Sequence, residues 1–118
     1  MTSPNPKAFN TWAAGDEGNM SLTARDADGN AVNISGVFLL WGLATDETAS
    51  GTLLSTQSYP ASGITMGAGN GVDGVFNVAM SGVADGLAGT YYQEAQARIS
   101  DSWQTVVVGT VRITPTIL

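Results

Sequence analysis

The sequence predicts an all-β domain, an antiparallel sandwich of about seven to eight short strands. Three observations carry that expectation. Apolar and polar residues alternate with a period of two in several segments, most clearly Asn19 to Arg25, Val75 to Met80 and Thr90 to Ser100. Clusters of Gly, Asn, Asp and Ser separate these segments at short intervals. No segment shows the 3.6-residue apolar period of a helix. A sheet apolar on one face must bury that face against another sheet, so this many half-apolar strands imply two layers.

Residues 1–11 carry Pro4 and Pro6 among small polar neighbours, and read as an extended arm ahead of a domain over 12–118. Phe9 and Trp12 are large apolar anchors that pack on their own domain or on a neighbour. Asn19 to Arg25 forms a strand burying Met20, Leu22 and Ala24. Asp26-Ala27-Asp28-Gly29-Asn30 turns, with Gly29 free to take positive φ. Ala31 and Val32 resume an extended path, and Asn33 to Gly36 turns again. Val37 to Leu43 is apolar on both faces, which predicts a central strand covered on both sides with Trp41 as its anchor. Residues 44–51 form a polar loop, Thr52 to Ser55 an edge strand broken before Pro60, and Ile64 to Met66 a short strand. After the glycine-rich run 67–74, Phe76, Val78 and Met80 point to the core. In Thr90 to Ser100 the inward set is Tyr91, Ala95, Ala97 and Ile99; Tyr92, Glu94, Gln96 and Arg98 point outward. Ser100-Asp101-Ser102 is a hairpin turn, and Trp103 to Thr114 the last strand, ended by Pro115.

The composition bounds the chemistry. The chain has 118 residues, one domain's worth, with 43% hydrophobic and only 12% charged residues. Soluble domains carry about 25% charge, so either part of this surface is covered by something else or it is a Ser/Thr/Asn-rich β surface that needs fewer charges. There is no Cys and no His, which excludes disulfides, thiolate nucleophiles, Cys- or His-based zinc sites and Ser-His-Asp triads. The net charge is −6, with cations only at Lys7, Arg25, Arg98 and Arg112, too few and too scattered for nucleic acid or an anionic membrane. The N-terminal residues lack a signal-peptide core, and no apolar run reaches the length of a membrane span.

Candidate motifs resolve mostly to turns. Gly69-Asn70-Gly71-Val72-Asp73-Gly74 matches a dinucleotide fingerprint but leads into an alternating strand instead of a helix. Asp26, Asp28 and Asn30 gather oxygens as a calcium loop would, yet Ala31 and Val37 stand where an EF-hand needs Gly and Glu. The carboxylates available for hydrolysis are Asp16 with Glu17, Asp46 with Glu47, and Glu94; adjacent residues do not face each other, so no acid/base couple is predicted. Two glycosylation acceptor patterns, at Asn19 and Asn33, have no secretory context. No catalytic, cofactor or metal residue is assigned.

Trp41, with Tyr91 after Asp85 to Thr90, is similar to the buried tryptophan and tyrosine corner of immunoglobulin-like sandwiches. Together with Gly15-Asp16, Asp26 to Gly36, Gly74 to Val78, Leu87 to Glu94 and Gly109 to Ile113, the chain resembles the immunoglobulin-like domains of tailed-bacteriophage particles, notably the N-terminal domain of baseplate upper proteins. Asn33 stands where that family has Asp, Ser35 where it has Thr, and Gln93 where its second Tyr is expected. The resemblance implies a non-catalytic virion component acting by protein–protein contact with a major capsid or tail/baseplate protein, in many symmetric copies. Because the family's members commonly carry further domains, a one-domain chain is expected to be a capsid decoration or cement protein, or a small head–tail or tail accessory. The partner-contact candidates are Phe9, Trp12, Ile117 and Leu118; the core anchors are Trp41 and Tyr91. A carbohydrate- or receptor-binding module is the alternative, with Trp12, Tyr59, Tyr92 or Trp103 as stacking platforms.

Overall fold

The computed structural model describes residues 7–45, 52–83 and 87–115. Eight strands form two sheets: β1 (Ala8–Ala13), β2 (Asn19–Thr23), β3 (Leu39–Ala44), β4 (Leu53–Tyr59), β5 (Ile64–Met66), β6 (Val75–Ala79), β7 (Gly89–Ile99) and β8 (Ser102–Thr114). The larger sheet has the order β1-β8-β7-β3-β4 and the smaller β2-β6-β5. Strands two, five and six thus face a sheet built on three, seven and eight, the immunoglobulin-like arrangement, with β4 as an added edge strand.

Alternation decides which side of each strand is buried. Met20 and Leu22 of β2 and Phe76 and Val78 of β6 point at Leu39, Trp41 and Leu43 of β3, Ala95 and Ala97 of β7, and Val111 and Ile113 of β8, all of them buried. Trp41 and Phe76 are the largest side chains with no exposed surface. The Asp26 to Asn30 turn is closed by its own chemistry: Asp26 Oδ1 accepts from the amides of Asp28 and Asn30, each at 3.0 Å, and Gly29 takes φ 87°. Ser100 and Asp101, both at positive φ, make the two-residue turn joining β7 to β8.

A bulge in the β7–β8 ladder at Ala95/Gln96 leaves Val106 and Val107 both buried. The Val106 carbonyl then accepts the Arg25 amide at 2.9 Å, tying the end of β2's segment to the other sheet. The glycine-rich run becomes an irregular, kinked turn over Ala68–Gly71, with Gly69 at φ 74° and Asn70 at φ 55°, followed by the strand β6, as its pattern predicts.

Three expectations change. The boundary drawn after residue 11 falls inside β1: Ala8–Ala13 pairs with β8 from Gly109 to Thr114, and this pair is parallel, the one exception to antiparallel pairing among the described strands. β4 runs on to Tyr59, past the expected end at Ser55. β3 is covered on one side only. Leu39, Trp41 and Leu43 are buried, but Leu40 is 42% exposed and Phe38, just before the strand, 53%. The smaller sheet covers only one face of the larger, so Phe38 and Leu40 on the other face stay exposed, whereas Val108, level with Glu94 on that same face, is buried. Asp46, Glu47, Asp85, Ile117 and Leu118 lie outside the described residues.

Candidate functional site

The outer face of the five-stranded sheet follows from the registers. Leu40 is level with Gln96 of β7 and Ser58 of β4; Gly42 with Glu94 and Thr56; Ala44 with Tyr92 and Leu53. On β8, Trp103 lies beside Arg98 and Thr110 beside Tyr92, and on β1 Phe9 lies beside Thr110. The Arg98 amide donates to the Phe38 carbonyl at 2.9 Å, so Phe38, Arg98 and Trp103 form one row across three strands. Next come the row of Leu40 and Gln96 and then that of Gly42 and Glu94. Leu53 leans over Gly42: a β-carbon there would come within 3.2 Å of its Cδ1.

This face gathers exposed apolar surface. Phe9 (68% exposed), Phe38, Leu40, Leu53 (62%) and Trp103 (41%) all lie on it, and among the described residues only Leu54 and Val72 of the exposed large hydrophobics lie elsewhere. Scattered single apolar residues are ordinary, but five on one sheet face are not, and such patches mark contact sites. The charges on this face among the described residues are Lys7, at its β1 edge, and Glu94, Arg98 and Arg112, all exposed.

Beneath the face runs a buried polar chain. The Trp41 indole Nε1–H donates to Gln93 Oε1 at 3.0 Å. Gln93 Nε2 donates to Asn10 Oδ1 at 2.7 Å and to the Thr110 carbonyl at 3.3 Å. Four adjacent strands, β3, β7, β8 and β1, are joined through this one amide. Gln93 is fully buried, and no buried side-chain nitrogen or oxygen among the described residues lacks a partner. In disulfide-bearing immunoglobulin domains the second cysteine follows the corner tyrosine by two residues. Here that position is Gln93, and a hydrogen-bonded amide packs against the strand-three tryptophan in place of sulfur. Tyr91 itself is half-buried against the core, and its hydroxyl donates to the Ala88 carbonyl at 3.3 Å, closing the corner.

A separate groove of about 540 Å³ opens beside the first turn, lined by Arg25, Asp26, Asp28, Ser102, Trp103 and Gln104 among others. The guanidinium of Arg25 is committed to the Gly29 carbonyl at 2.9 Å, which holds the turn against the groove wall.

The predicted site residues separate on this framework. Phe9 stands in the exposed face. Trp12 does not: it is half-buried, packs against the core and donates its indole N–H to the Asp16 carbonyl at 3.2 Å, because it sits on the inward side of β1. Its packing and hydrogen bond place it at the turn that follows β1. Tyr59 is half-buried against the core as well. Asp16, Glu17 and Glu94 are exposed, and Asp26 uses its carboxylate on its own backbone. No group of three or more acidic residues is placed to hold a metal among the described residues. Sequence reasoning missed Phe38, Leu40 and Leu53 as surface residues, Gln93 as a buried one and the half-buried Asn10 as its partner. The signal for Gln93 was its inward parity with Tyr91 and Ala95.

Compared with known proteins, the chain matches no family model and no curated sequence.

Proposed function

We propose that this chain is a non-catalytic structural protein of a bacteriophage particle, acting by protein–protein contact through the outer face of its five-stranded sheet. The observation that carries the reading is the grouping of Phe9, Phe38, Leu40, Leu53 and Trp103 on that one face. Low overall charge and the resemblance to phage immunoglobulin-like domains support it in the same direction. The partners are neighbouring virion proteins, of the capsid or of the tail and baseplate, met in multiple copies. Mass spectrometry of purified particles tests the placement: the chain is expected there at high copy, and its absence from any particle rejects it.

The face itself is tested by Phe38→Ser with Leu40→Ser. Both positions are exposed, so the unfolding midpoint is expected to move by no more than about 0.5 kcal/mol per site. Attachment to particles lacking the protein is expected to weaken at least tenfold. Unchanged attachment would remove the face from the interface.

A second reading, a carbohydrate-binding module, is favoured by the groove at Trp103. Trp103, Asp26, Asp28 and Gln104 all line this groove, which sets an aromatic residue next to hydrogen-bonding groups, the usual make-up of a ligand-orienting cleft. A glycan array is expected, on this reading, to yield a ligand whose binding is lost in Trp103→Ala while the fold is kept. No ligand on the array, or one bound equally by the variant, excludes it.

A further inference from the structure

We infer that the outer face of the five-stranded sheet takes a second copy of this chain, face to face across a two-fold axis that crosses the strands at the level of Gln96. The inference rests on reading that face as a docking surface and names its occupant. Three features of the face point to self-pairing.

The first is charge. Glu94, Gln96 and Arg98 follow one another on the outer side of β7, with Gln96 midway. Residues four apart on a strand are about 13 Å apart, too far for Glu94 to pair with Arg98 of its own chain. A two-fold lying between two such faces, perpendicular to the strands at Gln96, brings Glu94 of each copy over Arg98 of the other. It also sets the two Gln96 amides opposite each other, where each can donate and accept. An isologous contact requires this self-complementarity, with i meeting j and j meeting i.

The second is shape. The same rotation exchanges the row of Phe38 with the row of Gly42. The exposed phenyl ring of each copy then lies over the position where the other has no side chain of its own and presents Leu53. Apolar surface meets apolar surface, and the opposed charges lie beside it.

The third is size. Four strands, β8, β7, β3 and β4, at about 4.8 Å spacing over rows 92–98 of β7 define a footprint of roughly 400 Å² per copy, because β1 lies level with rows 93 to 88. Two copies therefore bury roughly 800 Å², the size of a weak, transient contact, which sets a dissociation constant of roughly 100 μM instead of an obligate dimer.

Charge exchange tests this directly. By sedimentation velocity from about 1 to 300 μM, the wild-type chain is expected to be in monomer–dimer exchange. Glu94→Arg sets arginine against arginine and Arg98→Glu sets glutamate against glutamate, so each variant is expected to dimerise at least tenfold more weakly. The double variant Glu94→Arg/Arg98→Glu regains dimerisation. An equimolar mixture of the two single variants is expected to form a heterodimer, because both of its contacts are then opposite in charge. Both side-chain positions stay exposed in the monomer, and unchanged thermal unfolding of each variant confirms that the fold is kept.

A wild-type chain monomeric throughout that range overturns the inference. So do single variants that dimerise as well as wild type, or a mixture that forms no heterodimer. A monomeric chain that still attaches to particles leaves the face as a docking surface and rejects only the second copy as its occupant.

Discussion

Trp41→Ala is expected to cost about 3–5 kcal/mol, a large part of the roughly 5–15 kcal/mol that holds a domain of this size together. The indole is fully buried between the sheets, so its removal leaves a cavity lined by residues that cannot close on it. It also leaves the fully buried Gln93 Oε1 without its donor. Trp41→Phe separates the two effects. It keeps most of the apolar volume and removes only the N–H, so it is expected to cost less, about 1–3 kcal/mol. Adding Gln93→Met to Trp41→Phe removes both ends of the bond, and the double variant is expected to lose less than the sum of the single losses. Urea unfolding followed by far-UV circular dichroism measures all four. A Trp41→Ala midpoint equal to wild type, or strict additivity in the cycle, contradicts the assigned roles.

Gly109→Ala is expected to cost about 2–3 kcal/mol, far more than one added methyl group usually does on a strand. β1 crosses this position at close quarters: a β-carbon on Gly109 would overlap the Ala8 carbonyl oxygen and come within 2.6 Å of its carbon. The obstacle is main chain, which cannot rotate aside, so the strand must move away. Movement of β1 withdraws Asn10 from Gln93 and uncovers the Gln93 amide. Limited proteolysis is expected to cut the variant between Lys7 and Ala13 while wild type resists. Asn10→Ala added to Gly109→Ala is expected to cost almost nothing further, since the contact it removes is already lost. Full additivity of the two would show that β1 stays seated and that the methyl group is accommodated elsewhere.

Both predictions concern residues whose neighbours come from far along the chain, and this marks where the sequence stops being readable. β2, β5, β6 and β7 were legible because one face of each is buried and the other wet, so polarity alternates along the chain itself; β8 was legible from its β-branched composition and the turn residues that bound it. The turns were legible because Asp26, Gly29 and Ser100 solve local backbone problems with local atoms. β3 was misread for a physical reason. An apolar residue facing an uncovered surface looks the same, in sequence, as one facing a second layer, and only the narrowness of the opposing sheet tells Leu40 from Leu43. β1 was hidden because Pro4 and Pro6 dominate its approach, while its pairing partner lies about a hundred residues later. Gln93 was hidden because glutamine is ordinarily a surface residue; its burial depends on Trp41 and Asn10, neither adjacent to it in the chain. Of the candidate site, the sequence placed Phe9 and the outward set Tyr92 to Arg98, and left unread the apolar residues that make the face cohere.

β1 also guards the molecule against its own kind. β8 is thirteen residues long, and its stretch from Val106 to Val111 is uncharged, free of proline and mostly β-branched, the composition of segments that stack into cross-β fibrils. An open edge there would offer amide and carbonyl groups to any passing chain. The parallel seating of Ala8–Ala13 along Gly109 to Thr114 occupies that edge. The short N-terminal strand is therefore a gatekeeper: while it is in place the chain meets its neighbours by side chains across a sheet face, and when it leaves, the same molecule becomes a template for uncontrolled strand addition.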